Sequence, residues 1–114
     1  DCIRFGANTA IEDETDLSRV GLDLHLYEVF AVGYMHNAGG FLTTAEVDSL
    51  AAGARLMTLE CGVRFLTDYS EEDVYFRIHR PSHNLDRCRT QFQLVADLED
   101  KMVQMQAIVH RTAE

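Results

Sequence analysis

Apolar residues at positions 22, 26, 29, 30 and 34 recur at helical spacing, so Leu22–His36 is predicted to form an amphipathic helix. Asn37-Ala38-Gly39-Gly40 is expected to end it in a flexible turn suited to a left-handed cap. Thr43 and Glu46 then have the spacing of a capping box, in which each side chain satisfies a free backbone N–H at the start of the next helix. That helix carries Val47, Leu50, Ala51, Ala54, Met57, Cys61 and Phe65 on one stripe. Leu56, Leu59, Val63 and Leu66 form a second stripe, which predicts a central helix buried around most of its girth. Gly53 and Gly62 each cost it roughly 1 kcal/mol relative to Ala, which close packing of neighbouring helices makes tolerable.

Upstream, Cys2–Ala10 is expected to be a short helix or turn, and Glu12, Asp13, Glu14 and Asp16 a solvated connection. Downstream, Ser70-Glu71-Glu72-Asp73 breaks the helical pattern, and Val74–Ile78 alternates β-branched and aromatic residues as an extended connector does. Pro81 pushes Arg80 away from helical geometry. Asn84 is the predicted N-cap of a long helix running to about His110, with Leu85, Cys88, Phe92, Val95, Leu98, Met102, Met105 and Val109 on its stripe. The expected architecture is all-α: a helical bundle with one short extended connector, spanning 1–114 as a single subdomain.

Composition narrows the classes of function. The 114 residues are 46% hydrophobic with one proline, as befits a folded chain with a modest core. A net charge of −9 disfavours nucleic acid and anionic membrane surfaces as partners. Charged residues interrupt every apolar run, so no membrane span is predicted. Cys2, Cys61 and Cys88 are odd in number and widely spaced, which fits buried thiols in a reducing cytoplasm better than a disulfide framework. Asp1 is followed at once by the core-like Ile3, Phe5 and Ala7, and the chain is therefore expected to be part of something longer.

Three groups of residues carry candidate chemistry. Glu60, Arg64 and Asp68 are spaced to share one helix face. They form either an ion-pair ladder between helices or an arginine held by two carboxylates so that its planar fork donates to a ligand's hydroxyls. Sugars suit the second arrangement, and Tyr75 or Phe5 is a candidate to cover the ring's apolar face. Arg77, Arg80, Arg87 and Arg89, with His79 and His83, form a basic cluster. It either contacts an anion or pairs with the acidic segments at 12–16 and 71–73. His79 and His83 have metal-ligand spacing, but Pro81 breaks the helix that would align them, and no zinc site is expected. Cys61 has no His or Asn signature of a nucleophile near it, and no glycine-rich phosphate loop is present.

IRFGANTAIEDETDL at 3–17, LMTLECGVRFLTDY at 56–69 and DVYFRIHRPSHNLDRCRTQFQLV at 73–95 resemble the C-terminal part of N-acetylhexosamine 1-kinase-type anomeric sugar kinases, within the aminoglycoside-phosphotransferase-like superfamily. The resemblance implies a helical subdomain of a two-lobed, protein-kinase-like fold in a cytoplasmic enzyme. ATP and magnesium would bind elsewhere in the longer protein, where a catalytic-loop Asp accepts the sugar hydroxyl's proton. The catalytic loop and the metal-binding Asp motif have no counterpart here, so no catalytic residue is assigned to this chain and neither ATP nor metal is expected to bind it alone. By resemblance Phe5, Arg64 and Tyr75 contact the sugar; the helical spacing of Glu60 and Asp68 adds that these two carboxylates support Arg64. Such a subdomain lacks the N-terminal part of its own chain and is expected to dimerise through the apolar surface so exposed. The alternatives are a non-catalytic helical interaction module docking an acidic partner, and a kinase-like fold acting on an aminoglycoside or choline.

Overall fold

The computed structural model describes residues 1–113, and every described element is helical. Five α-helices follow in order: α1 (Cys2–Gly6), α2 (Leu24–Ala38), α3 (Thr44–Ser70), α4 (His83–Asp100) and α5 (Met102–Ala113). Short 3₁₀ turns precede α2 at Leu17–Arg19 and follow it at Gly39–Phe41. The all-α expectation holds, and no helix of the described residues is long and apolar enough to cross a membrane.

Local signals set several boundaries. Asp23 caps α2, its carboxylate accepting from the His25 and Leu26 amides, so that helix begins two residues later than its apolar pattern predicts. Thr43 and Glu46 form the expected reciprocal capping box on α3. At the other end of α3 the chain closes in a Schellman motif. Asp73 N–H reaches Asp68 C=O (2.8 Å) and Glu72 N–H reaches Tyr69 C=O (3.3 Å), with Glu72 at φ 68°. Asp73, at φ 62°, extends the left-handed turn.

α3 and α4 form the principal helix pair, and α5 packs on α2 and α3. Leu94, Leu98, Met105 and Val109 are buried at their centre. The face of α3 turned inward carries Val47, Ala51, Ala54, Thr58, Gly62, Phe65 and Asp68. This corrects two expectations. Met57 and Cys61 give way on the buried stripe to the smaller Thr58 and Gly62, and the second stripe (Leu56, Val63, Leu66) is exposed. Helix approach decides the outcome: a Cβ on Gly62 would lie 2.6 Å from a ring carbon of Phe92, whereas Thr58 satisfies its buried hydroxyl on Ala54 C=O (2.8 Å).

Gly53 has no such reason to be glycine, since nothing lies within 4 Å of a Cβ placed there. Gly53→Ala is therefore expected to stabilise the chain by about 0.5–1 kcal/mol. It should appear as a higher urea midpoint at unchanged slope.

The predicted long C-terminal helix is two helices. Lys101, at φ −101° and ψ 7°, separates α4 from α5. Its ammonium donates to Leu22 C=O and to Asp97 Oδ2, both at 2.7 Å, while Asp97 Oδ2 accepts from Leu22 N–H (2.6 Å). The break thus fastens the segment before α2. That segment is also tied by an isolated antiparallel bridge between Asn8 and Leu22. Nor is Asn84 an N-cap. Ser82, at φ 61°, takes that position without a side-chain cap, and Asn84 lies inside α4, fully buried.

Candidate functional site

The site is built where α3 ends, the 71–82 loop turns back and α4 begins. Its anchor is Asp68, 4% exposed. Asp68 Oδ1 accepts from the Tyr75 amide (2.7 Å), and Oδ2 accepts from the Phe76 amide (2.9 Å) and from Asn84 Nδ2 (2.7 Å). The second amide hydrogen of Asn84 goes to Asp73 Oδ1 (3.0 Å), and its carbonyl accepts from Arg87 Nη1 (2.9 Å). A carboxylate with several backbone donors is a strong local tie, and this one pulls the loop across the end of α3.

Two aromatic rings are thereby delivered to Arg64. Its guanidinium carbon lies 5.6 Å from the ring centres of both Tyr75 and Phe76, and Nη2 stands 3.4 Å from the Tyr75 hydroxyl. Phe76 in turn meets Tyr75 and Phe65, each at 4.8 Å between centroids. Of the two carboxylates expected beside Arg64, only Glu60 is there, at 3.9 Å and solvent-exposed. Asp68 supports Arg64 indirectly, by placing the rings. Its oxygens are committed to amide donors, and spacing along α3 does not reveal those partners.

Arg64 and Phe76 border two adjoining hollows, the larger a cleft of about 510 Å³ and the smaller about 260 Å³. Tyr75 and Asp68 line the smaller, and Met57, Cys61 and Phe65 give the larger an apolar side. Arg4, Arg77, Arg87 and His79 supply its polar wall, with Asp1 and Glu12 as the acidic members. A volume of this order suits a small ligand. Phe5 lies apart, 59% exposed on α1 and lining neither hollow. The α1 side chain that does reach the cleft is Arg4, for which the sequence offers no signal. Phe76, one residue beyond Tyr75, was within reach of the sequence pattern as the second aromatic of the connector.

The basic cluster divides into committed and open members. Arg80 pairs with Asp86 and lies 3.9 Å from Asp13, and Arg87 Nε lies 3.9 Å from Glu12. Arg87 Nη1 also donates to Arg77 C=O (3.1 Å). His83 Nδ1 accepts from the His79 amide (3.2 Å), which leaves Nε2, 2.6 Å from Asp13, as the donor to that carboxylate. Thr90 and Gln91 donate to the carbonyls of Glu14 and Glu12. Residues 12–14 are therefore not the solvated connection their charge suggests but a strap docked on α4. Among the described residues, the side chains of Arg77 and Arg89 join no ion pair.

Two carboxyls here sit below the usual carboxylate range. Desolvation pushes Asp68 up, but amide donation from Phe76, Tyr75 and Val74 and from the Asn84 side chain outweighs it. For Asp13 the His83 hydrogen bond lowers the pKa against the opposing effect of burial, and Arg80's charge assists. A depressed folded-state pKa contributes stability that is present above the unfolded value of about 3.9 and is lost as pH falls through the folded value. Stability should accordingly decline below about pH 4, and Asp68→Asn should flatten that limb in acid-titrated thermal melts.

No group of three His, Cys, Asp or Glu side chains among the described residues converges to hold a metal ion. The chain matches none of the known protein-family models.

Proposed function

We propose that this chain is the sugar-recognising helical subdomain of a cytoplasmic, ATP-dependent sugar 1-kinase acting on an N-acetylhexosamine or a related sugar. The observation that carries the reading is the assembly of Arg64 and Phe76 on a 510 Å³ cleft, with Tyr75 on the adjoining hollow of 260 Å³ and the rings held by Asp68. A guanidinium fork donates to ring hydroxyls, and the aromatic faces take the apolar face of a pyranose. The resemblance points to Arg64 and Tyr75 as well, but to Phe5, which lines neither hollow, in place of Phe76.

ATP and magnesium belong to the preceding part of a longer protein in this reading. The described residues do not fit a magnesium site, since no three of their His, Cys, Asp or Glu side chains converge, and no step of phosphoryl transfer is placed on them. Arginines along the cleft weigh against an aminoglycoside or choline acceptor, because both are cationic. A basic docking module is also less favoured, since Arg80 and Arg87 are engaged internally by Asp13, Asp86 and Glu12.

Titration calorimetry with N-acetylglucosamine and N-acetylgalactosamine tests the reading. Saturable binding by residues 1–114, without ATP-dependent phosphorylation of either sugar, is the expected outcome. Absence of any saturable sugar binding, or turnover by this chain alone, would contradict it.

A further inference from the structure

We propose that the monosaccharide held in the cleft carries a negative charge, as a phosphomonoester or a carboxylate, and that Arg77 together with Arg64 receives it. This inference rests on the sugar reading above and specifies the class of sugar.

The argument begins with charge. The chain has 19 acidic and 10 basic side chains apart from histidine, so surplus acid is available to neutralise any arginine that folding requires. Yet four of those ten cations line one cleft, against the carboxylates of Asp1 and Glu12. Both carboxylates are already taken. Arg4 Nε lies 2.8 Å from Asp1 and its Nη1 2.7 Å from Glu12, while Arg87 Nε lies 3.9 Å from the same Glu12.

Exposure separates the four arginines into two kinds. Arg4 and Arg87 keep only 11% and 14% of their side-chain surface and form a fixed wall. Arg64 keeps 48%, and its only carboxylate partner among the described residues, Glu60, is a half-exposed residue at 3.9 Å. Arg77 joins no side-chain hydrogen bond or ion pair among the described residues. Its backbone is nonetheless fixed, because its carbonyl accepts from Arg87. Two guanidinium forks with open donors thus flank a cleft with an apolar side formed by Phe65 and Phe76. A planar fork matches carboxylate and phosphate oxygens in pairs, and the positive surplus attracts an anion into the cleft.

The test compares N-acetylglucosamine, N-acetylglucosamine 6-phosphate, glucuronate and inorganic phosphate as ligands of residues 1–114 at low and high salt. Wild type, Arg77→Gln and Arg89→Gln are each titrated, Arg89 being an exposed arginine outside the cleft. The expected result is that at least one charged sugar binds about tenfold or more tightly than the neutral sugar. That preference should shrink with salt and with Arg77→Gln and persist in Arg89→Gln. A gain confined to the phosphate or to the carboxylate identifies which anion the site takes. Equal affinity for neutral and charged sugars, or a preference indifferent to Arg77→Gln, overturns the inference while leaving the sugar reading in place. Binding of inorganic phosphate with no gain from a sugar ring overturns both.

Discussion

Asn84→Ala is expected to destabilise the chain by about 2–3 kcal/mol, a large effect for one polar side chain. Asn84 is fully buried and uses both its hydrogens and its oxygen, on Asp68 Oδ2, Asp73 Oδ1 and Arg87 Nη1. Truncation leaves Asp68 one donor short where little water reaches it, and it opens a small void between α3 and α4. The loss should extend to the loop, because Asp68 also carries the amides of Tyr75 and Phe76. Urea denaturation measures the first effect, and faster hydrogen exchange at those two amides reports the second. Asn84→Asp should be no milder, since it sets a third carboxylate against Asp68 and Asp73. A change below about 0.5 kcal/mol with unaltered exchange would mean that other contacts hold the loop.

Arg64→Ala is expected to weaken sugar binding by about tenfold or more while leaving stability nearly unchanged. The separation follows from its surroundings. Its ion pair with Glu60 is exposed and long, and pairs of that kind contribute roughly 0–1 kcal/mol. Its donors, by contrast, face the rings and the cleft. Arg64→Lys should restore only part of the affinity, because an ammonium keeps the charge and loses the paired donors of the planar fork. In a longer protein with kinase activity, Arg64→Ala should raise the KM for sugar far more than the KM for ATP. Equal rises would remove Arg64 from the sugar site.

Elements fixed by neighbours in sequence were the legible ones. The α3 capping box depends on Thr43 and Glu46 alone, and the close approach at Gly62 was foreshadowed by a glycine inside an apolar run. Interactions that cross the fold were not. Asp68 has helical spacing from Arg64, yet its donors come from seven, eight and sixteen residues further along. Asn84 has the residue type of an N-cap, but its side chain is claimed by those same carboxylates, so the helix starts without it. The break at Lys101 was hidden because the apolar stripe runs through it from Leu98 to Met105, and the contacts that fasten it lie on Leu22. Acidity alone marked 12–14 as solvated, whereas Arg4, His83 and Arg87 draw those residues onto the bundle. Even so, Arg64 and Tyr75, eleven residues apart in sequence, do meet in space.

The most direct test of the sugar site is residue-resolved: a titration of isotope-labelled residues 1–114 with N-acetylglucosamine, followed by amide and side-chain chemical shifts. The expected result is a saturable set of changes centred on Arg64, Phe65, Tyr75 and Phe76. Changes confined to the exposed face of α2, or no saturable change at all, would contradict the assignment of the cleft to a sugar.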